Sequence, residues 1–294
     1  FNSSGTVTFG TGNGTLSIGG ATAQFYAMDG GTVVFDQRIV GNLGTAPSSF
    51  GFFKNGRGTI ELRNSTTSAG DSNFVLAGGT LILNHTADTS LALVGNLNAR
   101  FDGGTLISIA SSGANTVESF ATNDAAARVL DFSAGGNEIV ARTTSTGTAR
   151  NMTINMGNGN ANSSTSNFLR GLGATGNLVE DSAAGGVAQI TLNFNASSTA
   201  AAKDAMIPWL TYGTQARTAT DFATIASTAS NDVRAFGTLR SAADLTNNVS
   251  AWTAGGHISE NLGTGFVGTL AADLSIGSLR FDANADSVVD LGGR

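Results

Sequence analysis

There is no cysteine in the 294 residues, and only two prolines, Pro47 and Pro208. The missing thiols exclude disulfides, thiolate metal sites and cysteine nucleophiles. A fold built here must rest on backbone pairing and burial. Charge is also scarce: charged residues make up 12 %, against ~25 % in ordinary globular domains. Lys54 and Lys203 are the only lysines, and no run of basic residues occurs. Nucleic acid is therefore not an expected partner. No apolar run approaches ~18 residues, so no membrane helix is expected and this segment should not insert in a membrane. Aromatic residues reach 7 %, mostly Phe.

What fills the space is glycine, 40 residues of it, together with Asn, Ser and Thr over an apolar fraction of 40 %. A disordered chain would be poorer in apolar residues. An uncharged small-polar surface over an aliphatic interior suits an all-β, secreted structure, here with a net charge of −6.

A unit of Gly-Thr followed by apolar alternation recurs. It reads GTVTF from Gly5, GTLSI from Gly14, GTVVF from Gly31, GTIEL from Gly58, GTLIL from Gly79 and GTLIS from Gly104. From the second unit onward the intervals are unequal, shortest between Gly14 and Gly31 and longest between Gly31 and Gly58. Alternate strand side chains face opposite sides. Val33 with Phe35, Ile60 with Leu62, and Leu81 with Leu83 are thus expected inside, and Thr59 and Glu61 outside. The glycines before each unit permit the positive φ of a tight corner. Phe74–Ala77 and Leu91–Val94 read as further sides of the same repeat.

A strand recurring about every 20–27 residues predicts a right-handed parallel β-solenoid (β-helix), in which each period is one coil. We expect residues 1–294 to form one continuous domain, a segment or module of a longer protein. Coils of ~22 residues would give roughly 13 rungs ~4.8 Å apart. Further strands are expected at Val129–Phe132, Glu138–Ala141, Met152–Met156 and Gln189–Phe194, with a protruding loop at Gly157–Ser166. The exception is Ala196–Leu210 (ASSTAAAKDAMIPWL), read as a short helical insertion ended near Pro208. Trp209 and Tyr212 would cover an edge or coil end. Residues 220–237 read as loop with brief strands.

GRGTIELRN, AGGTLILNH and DGGTLISIA resemble the autotransporter-associated β-strand repeat of large secreted bacterial surface proteins. IPWLTYG, TDFATIAS, NDVRAFG and LSIGSLRFDANADSVVDLGG resemble the segments that separate repeat blocks in such proteins. The resemblance implies a parallel β-helix at the cell exterior, with no catalytic residues.

Candidate chemistry is sparse. His85 and His257 each stand alone and are expected at the surface, without the spacing of a zinc site. A carbohydrate-active β-helix enzyme would need acids converging from successive coils. Asp29, Asp36, Glu61, Asp102 and the adjacent Glu180 and Asp181 are the candidates, with turn or solvent-face roles expected for all. Asp282, Asn284 and Asp286 have calcium-loop spacing but lack the Gly at position six; calcium is not expected. Eight Asn-x-Ser/Thr sequons (Asn2, Asn13, Asn64, Asn84, Asn151, Asn162, Asn195, Asn248) follow from composition. A sugar-stacking platform would draw on Trp209, Trp252, Tyr26 or Tyr212.

The function expected is structural: an extracellular surface fibre, filament module or spacer with an adhesive role. Its partners would be copies of itself, end to end or lateral, and surface glycans. No cofactor or metal is expected and no catalytic residue is assigned. The competing readings are a polysaccharide lyase or glycosidase and a glycan-binding adhesin.

Overall fold

The computed structural model describes residues 4–10, 15–18, 22–41, 51–63, 66–67, 74–86, 99–120, 129–144, 150–157, 167–182, 185–192, 206–215, 221–225, 233–235, 245–260, 264–281 and 285–292. These are almost entirely strand, turn and bend, with a single 3-10 turn at Val249–Ala251. The chain, read from sequence as one continuous domain, divides into two compact units, residues 1–235 and 236–294.

In the first unit the chain runs in circuits through four sheets, the second strand of a circuit falling in one of two small sheets. The first circuit is β1 (Thr6–Phe9), β2 (Thr15–Ile18) and β3 (Thr22–Tyr26). The second is β4 (Thr32–Phe35), β5 (Arg38–Gly41) and β6 (Gly51–Asn55), and the third is β7 (Thr59–Leu62), β8 (Thr66–Thr67) and β9 (Phe74–Ala77). The fourth contains β10 (Thr80–Asn84) and β11 (Ala99–Phe101). Next come β12 (Gly104–Ile109), β13 (Thr116–Phe120) and β14 (Val129–Phe132), then β15 (Gly136–Arg142), β16 (Met152–Met156) and β17 (Asn167–Arg170). β18 (Thr175–Asp181), β19 (Ala188–Leu192), β20 (Ile207–Gly213), β21 (Asp221–Ile225) and β22 (Val233–Ala235) complete the unit.

The first strands of successive circuits lie side by side in one ten-stranded sheet, β1-β4-β7-β10-β12-β15-β18-β20-β21-β22. The third strands form a six-stranded sheet, β17-β14-β11-β9-β6-β3, and the second strands form two three-stranded sheets, β2-β5-β8 and β13-β16-β19. Among the described strands pairing is parallel except at the β20–β21 and β21–β22 edges, and one isolated antiparallel bridge joins Thr144 to Arg150. Parallel neighbours need crossovers, and here the strands of the other sheets supply them.

The register explains the Gly-Thr units. Thr6, Thr32, Thr59, Thr80 and Thr105 pair in one row, the first four heading their strands and Thr105 second in its own. GTLSI is not in that row. Its strand β2 pairs with β5 on a different side, so the short interval from Gly14 to Gly31 is not a period. Beyond Thr105 the row continues to Glu138, Asn177 and Thr211, on circuits longer than any before them. The coil length expected from the sequence is therefore too short, and it overcounts the circuits in this unit.

Val33, Phe35, Ile60, Leu62, Leu81 and Leu83 are all buried as expected, and Thr59 and Glu61 are half-buried on the opposite face. On the six-stranded sheet, inward phenylalanines stack from strand to strand. Phe25, Phe52 and Phe74 follow one another at 4.7 and 6.2 Å between ring centroids, and Phe101 and Phe132 at 5.4 Å. Each fully buried ring stabilises by about 1.5–3 kcal/mol through area alone, and parallel register makes like residues neighbours.

The corners between the six- and ten-stranded sheets carry the glycines. Gly79 has φ +64°, and a Cβ there would collide with the carbonyl oxygens of Gly56 and Gly58. No other residue fits that close approach of backbones. Two polar side chains serve the carbonyls turned inward here. Lys54, fully buried in the register row between Phe25 and Leu76, donates to Asn55 O (3.1 Å), Gly56 O (2.7 Å) and Gly78 O (3.0 Å). At a later corner the buried Asn137 donates to Ala134 O (3.0 Å) and Thr175 O (3.1 Å), and accepts from Gly103 N–H (2.7 Å).

The short helix expected over 196–210 is corrected where the structure describes it: Ile207–Leu210 are strand, part of β20. Pro208 is tolerated because it sits near the strand's start, before the β18 pairing begins at Leu210 and where the β21 pairing shifts register. Residues 193–205, Leu91–Val94 and most of the loop expected at 157–166 lie outside the described residues.

In the second unit β23 (His257–Ser259) and β24 (Ser278–Arg280) pair in parallel. Further parallel bridges join Leu245 to Ser259, Asn248 to Val267 and Thr269 to Asp290. The pairs His257↔Ser278 and Thr269↔Asp290 are separated by the same interval along the chain. The core is small: buried Val249, Ile258 and Phe266, with Trp252, Leu270, Ile276, Leu279 and Val289 packed against them.

Candidate functional site

The sequence-derived site residues do not gather. Asp36 and Glu61 share Arg63, at 3.5 and 2.7 Å. Burial opposes ionisation of Glu61, yet hydrogen bonds from Arg63 and Asn84 hold its carboxyl below the usual carboxylate range. Asp102 pairs with Arg100 and Asp181 with Arg142, each at 2.9 Å. Glu180 accepts from Ile190 N–H (2.7 Å) and Tyr212 Oη–H (2.9 Å). Burial, then the Glu180 charge, pushes the Tyr212 phenol above its ordinary pKa. Asp29 is exposed in a turn. Asp282 and Asn284 lie outside the described residues; Asp286 is exposed. Among the described residues no group of three or more His, Cys, Asp or Glu could hold a metal ion.

His85 corrects its expected surface position. It follows β10, in the row continued by Ala110, and is fully buried with Nε2 3.1 Å from Glu118 Oε2, itself fully buried. The approach is close, but the ring N–H is not aimed along a hydrogen-bond direction. It is a contact of two ionisable groups rather than a directed bond. The sequence carries no signal for it, because His85 and Glu118 belong to different circuits. His257, half-buried, has Nδ1 3.1 Å from Ser278 Oγ.

Among the described residues a groove of about 390 Å³ lies on the outer side of the ten-stranded sheet, beside the corner. Its floor includes Gly104 and Gly136, which carry no side chain to fill the space. Thr105, Glu138, Asn177 and Thr211, paired residue by residue on β12, β15, β18 and β20, form its polar row. Asn177 donates to Glu138 Oε1 (3.1 Å), and Thr211 Oγ1 donates to Asn177 Oδ1 (2.9 Å). Pro208 and Trp209 make the apolar wall.

Trp209 is buried, 9 % exposed, and packs on Phe168 of β17, the edge strand of the six-stranded sheet. Its ring packs on Phe132 and Phe168 at 5.5 and 5.3 Å, with the Arg170 guanidinium 5.4 Å from its centroid. Thr105 was legible as part of a Gly-Thr unit. Glu138, Asn177 and Thr211 were not, because the longer circuits hide their common register. Of the other aromatic candidates, Tyr26 is exposed and Trp252 packs edge-on against Phe266 at 5.2 Å.

Compared with family models, curated proteins and solved structures, the chain matches none.

Proposed function

We propose that this chain is a structural module, a right-handed parallel β-solenoid that serves outside the cell as a surface fibre, filament module or spacer. The observation that carries the reading is the unbroken parallel register from β1 to β20, with aliphatic and aromatic columns running across it. Such columns give stiffness without a large charged surface. The resemblance of the Gly-Thr units to the autotransporter-associated repeat supports an exported, adhesive role. Low charge would let copies associate laterally or end to end without strong repulsion. Asp36, Glu61, Asp102 and Asp181 are held by arginines and Glu180 by a backbone N–H and a phenol, which favours the structural reading over a lyase or glycosidase.

Electron microscopy of the purified chain and of its native surface material tests this. Rods or fibres whose axial repeat equals one chain are expected, with diffraction at ~4.8 Å along the axis. Monodisperse particles with no elongation at high concentration would overturn it.

A further inference from the structure

We propose that Asn151 and Asn248 are acceptor sites for N-linked sugars. The proposal rests on the exported reading above and adds to it which side chains carry the modification. The Asn-x-Ser/Thr sequon supplies the motif, but its eight copies follow from composition. Geometry separates the copies that the structure describes, Asn84-His85-Thr86, Asn151-Met152-Thr153 and Asn248-Val249-Ser250. Asn151 and Asn248 are exposed, and Asn84 is half-buried. The side-chain oxygen of Asn151 accepts from Val187 N–H (2.9 Å). That of Asn248 accepts from Ser250 N–H (3.1 Å) and Ser250 Oγ–H (2.6 Å). Donors at Oδ1 fix which end of each amide is the nitrogen. Neither Nδ2 makes a hydrogen bond among the described residues, so each is open to solvent. Asn84 is the contrast. Its Nδ2 donates to Glu61 Oε1 at 2.7 Å, and Glu61 is itself held by Arg63. A sugar on that nitrogen would have to displace the carboxylate.

The group transferred is a sugar activated at its anomeric carbon by a phosphate leaving group, as a nucleoside diphosphate sugar or a lipid-linked pyrophosphate sugar. The bond formed joins that carbon to Nδ2. The bond from that carbon to the phosphate oxygen breaks, its electron pair leaves with the phosphate, and Nδ2 gives one proton to a base of the transferase. The second Nδ2 proton stays, and Oδ1 keeps its hydrogen bonds. The two acceptors stand on different units, Asn151 just before β16 and Asn248 at the cap of the 3-10 turn. Val187, 58 % exposed, is bonded to Asn151 across the β16–β19 ladder. A sugar on Asn151 would cover that apolar surface and keep the face of β13-β16-β19 from packing against another copy.

The test is site-resolved mass spectrometry of the protein from its native source, with a fragmentation that leaves sugar on its residue. Occupancy at Asn151 and at Asn248 should exceed that at Asn84 at least tenfold. Increments of single sugars mark the nucleotide donor, and a preassembled oligosaccharide marks the lipid donor; both support the proposal. In variants expressed in the same cells, Thr153→Val and Ser250→Ala should each strip the sugar from their own sequon with the asparagine still in place, and Ser250→Thr should keep it. Ser250 is exposed, so its variants carry the test if Thr153→Val does not fold; circular dichroism reports folding. Proteolysis of intact cells locates the chain independently. A chain cleaved from outside and bare at either Asn151 or Asn248 overturns the proposal and leaves the exported reading standing, whereas a bare chain protected inside the cell overturns both. Occupancy at Asn84 equal to the other two, or sugar unmoved by the folded variants, would also overturn it.

Discussion

The two compact units use the same parallel pairing but bury very different amounts. In residues 1–235 the inward columns are shut: Phe101, Phe120, Phe132, Leu76, Leu81 and Leu106 have no exposed surface. In residues 236–294 only Val249, Ile258 and Phe266 among the described core residues reach full burial, while Val267, Phe281, Val288 and Leu291 are each more than half exposed. Backbone register is thus common to both, and side-chain closure is not. Ladders alone define the repeat; most of the stability must come from columns buried on all sides.

The sharpest way to break this comparison is a matched pair of truncations. Phe132→Ala should cost about 3–5 kcal/mol in chemical denaturation, since its ring touches Phe101, Phe168 and Trp209. Phe281→Ala should cost under about 1 kcal/mol, its ring being mostly exposed. Equal costs would mean that the two units are equally closed in solution.

Gly79→Ala comes next. The strained φ and the collision with two backbone carbonyls should cost at least about 2 kcal/mol. A melting temperature unchanged from the parent would show that the corner relaxes.

Lys54→Met should cost about 1–3 kcal/mol by leaving three inward carbonyls without their donor. The same residue predicts a pH effect. Burial pushes its ammonium down to about 8 from 10.5. Between those values the unfolded chain binds more protons than the folded one, so the Lys54 contribution to stability should rise with pH across that window. Tyr212 acts in the opposite sense at higher pH, because its folded pKa is raised above the ordinary phenol value. The measurement is therefore the difference between parent and Lys54→Met from neutral pH upward through that window; a flat difference would place the amine in contact with solvent.

The smallest effect expected is in hydrogen exchange. Amides of β12 and β15 should exchange more slowly than those of β23 and β24 by at least tenfold. Equal protection would remove the contrast between the units.

Much of the first unit was legible because a Gly-Thr unit announces both a corner and the strand after it. The alternation in GTIEL and GTLIL correctly placed Ile60, Leu62, Leu81 and Leu83 inside. What the sequence hid depends on contacts between distant residues. Nothing in the sequence around Lys54 shows that three carbonyls from two circuits meet its amine. His85 looked isolated because Glu118 reaches it across intervening chain. IPWL read as a helix end because an alanine run precedes it, and tertiary pairing overrode that local preference. The polar row of the groove was invisible for the same reason: Glu138, Asn177 and Thr211 share a register that unequal circuit lengths disguise.

Those unequal lengths have a consequence of their own. The row from Thr80 to Thr211 keeps its pairing while the chain between rungs lengthens, most of all between Glu138 and Asn177. Lengthening a connection costs only logarithmically in closure entropy. The strands thus behave like numbered shelves whose positions do not depend on what is stored between them. Peptides spliced into the longer circuits should be carried without disturbing the sheet, which makes this fold a ready frame for displaying foreign sequence.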